Sequence, residues 1–84
     1  MSIPLSEFER VASDVIDEWY PAIQSYRFNG YEIKLDVKYN RRDSTYLASV
    51  EFDENGNFTT IFNPYGAREP GAIGYEIERR LRRL

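Results

Sequence analysis

The chain has 84 residues, a net charge of −3, and neither cysteine nor histidine. At that length residues 1–84 are expected to form one domain, able to fold alone but too small for a deep cleft between lobes. Missing thiols exclude a disulfide framework and thiolate metal sites. Missing imidazoles exclude Ser-His and Cys-His nucleophiles, the usual zinc ligand sets and the ordinary pH switch.

The first predicted element is a helix. Ser6-Glu-Phe-Glu9 fits a capping box, in which a serine oxygen and a glutamate satisfy free amides at a helix start. Phe8, Val11, Ala12, Val15, Ile16, Trp19 and Ile23 then recur at helical spacing, a stripe suited to covering the apolar side of a sheet. Pro21 disfavours helical geometry at Tyr20, so the helix is predicted to end or kink there. From Ser6 to Tyr20 the chain carries five acids (Glu7, Glu9, Asp14, Asp17, Glu18) against Arg10 alone, a local charge of −4. Such a face is ordinarily just solvated. The sharper expectation is that Glu7, Asp14, Asp17 and Glu18 dock a protein with a basic surface.

Three antiparallel strands follow, between Tyr31 and Asn63. Tyr31, Ile33, Leu35, Val37 and Tyr39 alternate with Glu32, Lys34, Asp36 and Lys38, the mark of a strand buried on one side. Tyr46, Ala48, Val50 and Phe52 form the second inward set, and Phe58, Thr60 and Phe62 the third. Keeping these sets on one side sets Phe52 opposite Phe58, with a three-residue loop Glu54-Asn55-Gly56 and Gly56 at positive φ. Asp53-Glu-Asn-Gly-Asn57 is therefore read as a turn rather than as the start of a calcium loop. The same logic predicts Tyr39 opposite Tyr46, Val37 opposite Ala48, Lys34 opposite Glu51, and a polar connection Arg41-Arg42-Asp43-Ser44. Leu47 and Ile61 are left on the open face, with Ile61 facing Ser49, as candidate partner contacts. Upstream, Asn29-Gly30 predicts a short extra edge strand near residues 25–28, a two-residue turn pairing Phe28 with Tyr31 and Tyr26 with Ile33.

Asn63 to Gly71 holds two prolines and two glycines and is predicted to be a loop crossing back over the sheet. A last helix is predicted from about Gly71 to Leu84. Its apolar side is Ile73, Ile77, Leu81 and Leu84; Pro70 suits its first turn, and Gly74 allows close approach to the sheet. Glu76 with Arg80, and Glu78 with Arg82, are favourable four-apart pairs. The fold class is α+β, a two-layer α-β-β-β-α arrangement with both helices on one face of a three-stranded meander.

No enzyme activity, cofactor or metal is expected. Asp14, Asp17, Glu18, Glu51 and Asp53 are the carboxylates available for acid-base work, and no cleft or motif gathers them. No apolar run approaches the ~20 residues of a membrane span, and no basic-then-apolar leader opens the chain. A cytoplasmic setting without membrane contact is expected.

The order of elements resembles the double-stranded RNA-binding domain, which also lays two helices on one face of a three-stranded sheet. That resemblance implies phosphate contact from the start of the last helix, where Ala67-Arg-Glu-Pro-Gly71 offers only Arg68. The nucleic-acid alternative therefore rests on Arg79, Arg80, Arg82 and Arg83. The favoured expectation is a small acidic binding protein that engages, and inhibits, another macromolecule through the acidic helix or the open sheet face. In size, charge and lack of chemistry it is similar to small acidic inhibitors from phages and other mobile elements and to toxin-neutralising immunity proteins. A homodimer through a sheet edge or the open face is the remaining partner expectation.

Overall fold

The computed structural model describes residues 2–39 and 44–84, in which the order of elements is α1 (Leu5–Asp17), β1 (Ile23–Asn29), β2 (Glu32–Lys38), β3 (Thr45–Phe52), β4 (Phe58–Phe62) and α2 (Arg68–Leu81). The strands form one antiparallel sheet in the order β1-β2-β3-β4, so the α+β class stands with four strands instead of three. The edge strand foreseen near residues 25–28 is a full seven-residue strand.

Alternation in the strands and the helical stripes meet in one core. Phe8, Val11, Ala12, Val15 and Ile16 of α1 and Ile73, Ile77 and Leu81 of α2 are buried against Ile23, Ile33, Leu35, Val37, Ala48, Val50 and Phe52 of the sheet. The other side of the sheet carries Arg27, Glu32, Lys34, Asp36, Lys38, Leu47 and Glu51. Trp19 packs on the core's margin. Ile23 is buried as expected but opens β1, because α1 stops at Asp17 and Tyr20-Pro21 intervenes.

The helix ends differ from the sequence reading in instructive ways. No side chain caps α1: Pro4 is the N-cap residue, its carbonyl accepts from the Phe8 N–H at 3.0 Å, and Ser6 lies within the first turn instead of ahead of it. Pro4 fixes the chain's entry two residues ahead of Ser6, which the capping box would have made the N-cap. Helix α2 begins three residues early, at Arg68, which places Pro70 in its first turn, buried. It ends at Leu81, so Leu84 falls beyond it and is exposed. Gly74 is buried beneath the Phe58 ring, where any Cβ would overlap the ring atoms. The close approach expected of that glycine is real.

Strand register departs from expectation in two hairpins, each time by two residues. Phe28 pairs with Ile33 and Tyr26 with Leu35, so the β1–β2 turn has Gly30 (φ 63°) and Tyr31 at its centre instead of Asn29 and Gly30. In the next hairpin Val37 pairs with Tyr46, Leu35 with Ala48 and Lys34 with Ser49. The connection expected at Arg41-Arg42-Asp43-Ser44 lies outside the described residues except for Ser44, whose carbonyl accepts from the Tyr39 N–H at 3.0 Å. A two-residue slip keeps every side chain on its own face, so the burial pattern survives it.

It does alter the charge pairing. Glu51 lies opposite Glu32 rather than Lys34, and Lys34 lies opposite Arg27 on its other side. Like charges directly opposed across strands are unfavourable. Glu51→Lys is therefore expected to raise stability by about 0.5 kcal/mol, read as a higher urea midpoint. A lowered midpoint would show that the Glu32–Glu51 opposition costs nothing.

The β3–β4 turn forms as the sequence predicts, but beyond Phe58 the register shifts by one, which turns Thr60 and Phe62 out of the inward set expected of them. Phe52 pairs with Phe58, the Asp53 N–H donates to the Asn57 carbonyl (3.0 Å), and Gly56 turns the chain at φ 87°. Asp53 holds the loop: Oδ1 accepts from the Asn55 and Asn57 N–H groups and Oδ2 from Asn57 Nδ2, each at 2.9 Å. These bonds, led by that from the Asn57 side chain, hold its carboxyl below the usual range. A depressed folded-state pKa contributes stability above the unfolded value, and that contribution disappears as pH falls through the folded one. Asp53→Ala is thus expected to flatten the acid limb of the stability curve below about pH 4. Equal acid slopes for the two proteins would exclude this role.

Residue Ile3 straps this end of the sheet. Its N–H donates to the Glu54 carbonyl at 2.8 Å, its carbonyl accepts from the Tyr31 hydroxyl, and its side chain lies against Gly56.

Candidate functional site

Four acids were the leading candidates on α1, and the structure gives each an intramolecular partner. Glu7 pairs with Arg10, and Asp14 lies 3.7 Å from the same guanidinium. Asp17 accepts from the Tyr26 hydroxyl at 2.7 Å, fastening α1 to β1. Glu18 reaches across to Arg80 on α2 at 3.1 Å. These are exposed pairs of small worth, but they reduce the free negative field that a basic partner would meet. Glu7, Asp14, Asp17 and Glu18 are on the helix side of the molecule, and Leu47 is on the opposite side.

The arginines of α2 are similarly engaged. Arg79 and Arg80 both bind Glu76, and Arg82 lies 3.5 Å from Glu78. Hydrogen bonds from Arg79 and then Arg80 lower the Glu76 pKa. The pairs expected at Glu76–Arg80 and Glu78–Arg82 both form. Arg83 is the member of the cluster with no carboxylate within 4.0 Å among the described residues. Glu78 has a second task, since its Oε2 accepts from the Phe58 N–H at 2.8 Å, closing the first residue of the β4 edge.

On the open side of the sheet the site changes composition. Leu47 is where expected, 43% exposed and opposite Asp36. Ile61 is not. Register shifts by one between Phe52–Phe58 and Glu51–Thr60, so Thr59 is bulged and the alternation of β4 reverses beyond it. Ile61 pairs with buried Val50 and turns to the helix side, its Cδ1 near Gly71. Phe62, expected in the core, pairs with Ser49 and stands 55% exposed on the open face. Leu47 and Phe62 are thus diagonal neighbours on adjacent strands. The signal for this in the sequence is Thr59-Thr60, two polar β-branched residues in succession where strict alternation would put one inside.

The flanks of this apolar pair are charged. Lys34 shares the cross-strand row of Phe62 and Ser49, while Asp36, beside Leu47, accepts from Ser25 and from Arg27 (3.3 Å). A small apolar centre with a mixed polar surround matches the general plan of a protein contact surface.

A second concavity was not foreseen. At the end of the sheet away from Ile3, Tyr39, Tyr46 and Tyr65 meet edge to face, with ring centroids 4.8–5.9 Å apart, in a cleft of about 470 Å³ that Pro21, Lys38 and Glu69 also line. The Tyr46 hydroxyl donates to Asn63 Oδ1 (3.2 Å), and Asn63 Nδ2 donates to the Ala67 carbonyl (2.6 Å). Burial, then the charge of Glu69, raises the Tyr46 pKa. The three rings satisfy one another's faces and edges. Their evident work is to tie the loop before α2 to the sheet. No helix among the described residues is long and apolar enough to cross a membrane. No known protein family, curated protein or solved structure matches the chain.

Proposed function

We propose that the chain is a small acidic, non-catalytic binding protein that covers a surface of another macromolecule with the open face of its sheet, in the manner of inhibitors and immunity proteins. The observation that carries this reading is the exposure of Leu47 and Phe62 together on a sheet face against which neither helix packs. Large apolar side chains standing alone on a surface are ordinary, but adjacent ones within a charged surround favour a contact site. The acidic helix becomes the lesser candidate, because Glu7, Asp14, Asp17 and Glu18 each have a partner within the chain.

Affinity capture from the source cell tests the reading with two variants. Leu47→Asp with Phe62→Asp is expected to lose the protein that the native chain retains, while Asp14→Lys with Glu18→Lys keeps it. The reverse outcome would return the acidic helix to first place. Retention of RNA or DNA at low salt, lost when Arg79, Arg80, Arg82 and Arg83 become glutamate, would favour the nucleic-acid alternative.

A further inference from the structure

We propose that two copies of the chain join through β4, antiparallel about a two-fold axis at Ile61, so that two four-stranded sheets become one. This association does not depend on any other partner. Sheet edges present unpaired backbone groups, and they are usually blunted by charge, proline or a bulge placed to block pairing. The two edges here are unequal in that respect. Edge strand β1 carries Arg27 and a register shift between Ile23 and Ser25. Across Asn57-Phe-Thr-Thr-Ile-Phe-Asn63 there is neither a charge nor a proline. Glu78 occupies the Phe58 N–H and the bulge follows at once, which leaves the regular stretch from Thr60 onward open.

That stretch is apolar on both of its faces. Ile61 (44% exposed) and Tyr75 (68%) lie on the helix side, and Phe62 and Leu47 on the other. A continuing sheet covers both sides at once. Residues directly opposed in a sheet share a face, which excludes one-residue shifts. Only an axis at Ile61, the middle of the regular stretch, pairs all three of Thr60, Ile61 and Phe62 with one another. Thr60 and Phe62 are on the open face and Ile61 on the helix face. Ile61 therefore opposes Ile61 of the second copy, and Thr60 opposes Phe62. A one-residue shift would set Ile61 against Phe62, across faces.

The strand is compatible with itself in a further sense. The chain as a whole carries −3, so two copies repel, yet the pairing edges bring no charge together. A two-fold pairing also closes after two copies, whereas joining β4 to the opposite edge β1 would propagate into a filament.

Sedimentation velocity over a concentration series tests the association. The native chain is expected to approach twice its 9.9 kDa mass, and Ile61→Lys, which opposes two ammonium groups at the axis, to stay at the single mass. The absence of native cysteine permits a second measurement that does not rely on that variant folding. Opposed Cβ atoms lie about 4.5–5.5 Å apart, wider than most disulfides take but within the span of a short bismaleimide, so Ile61→Cys is expected to cross-link with that reagent, while Gln24→Cys on β1 does not. A native chain at 9.9 kDa throughout, or cross-linking by Gln24→Cys in preference to Ile61→Cys, overturns the proposal.

Discussion

Phe8→Ala is expected to remove about 3–5 kcal/mol of stability, the largest loss from any single truncation in the chain. Phe8 is fully buried, and its ring meets Tyr31, Phe52 and Phe28 edge to face with centroids 5.2, 5.3 and 6.2 Å away. Those partners come from three strands or their turns, so the ring joins α1 to most of the sheet's width. Deleting it removes the transfer energy of a buried aromatic and leaves a void that rigid strands close poorly. A domain of this size has roughly 4–13 kcal/mol in all, so the loss takes about a quarter of the total at one extreme and all of it at the other. Urea unfolding followed by circular dichroism measures the loss. A change below about 1 kcal/mol would mean that the ring's surroundings collapse into its place and that the aromatic cluster is dispensable.

Gly74→Leu is expected to cost about 3 kcal/mol, at the upper end of what overpacking does. Replacing a helical glycine normally gains up to ~1 kcal/mol, so the sign of the change separates helix propensity from packing. Packing wins here because even a Cβ at residue 74 would overlap the Phe58 ring, which is itself held between Phe52 and Tyr75 at 5.4 and 5.1 Å. Phe58→Ala in the same chain vacates that space. The double variant is therefore expected to lose less than the sum of the two single losses, by roughly 1–2 kcal/mol. Additive losses would show that α2 shifts bodily to accept the leucine and that Gly74 does not set the helix-to-sheet distance.

Much of the fold was legible because burial follows period. The stripe Phe8, Val11, Ala12, Val15, Ile16 and the alternating Ile33, Leu35, Val37 name the core almost residue by residue. Register was not legible to the same degree, and the reason is symmetry. Slipping β1 or β3 by two positions along β2 leaves every inward residue inward, so hydrophobic pattern is silent about it. Only turn geometry decides, and Gly30 serves as well in first central position as in second. The β3–β4 turn was predictable because it admits few alternatives: Gly56 must take positive φ, and Asp53 has amides to accept from only in that loop. The bulge at Thr59 defeated alternation for the opposite reason. One extra residue moved Phe62 to the open face and Ile61 to the helix side, where it stays 44% exposed, within the very patch on which the proposed contact rests. Ionic partnerships such as Glu18–Arg80 were beyond reach too, since they join residues brought near only by helix packing.

The strap at Ile3 has a bearing on how the sheet comes apart. One residue is bonded to Tyr31 beside one hairpin bend and to Glu54 in another, so neither bend can fray without loosening its neighbour. The two ribbons are buckled at a common point, and thermal opening there should be concerted: amide exchange around Gly30 and around Gly56 would rise and fall in step.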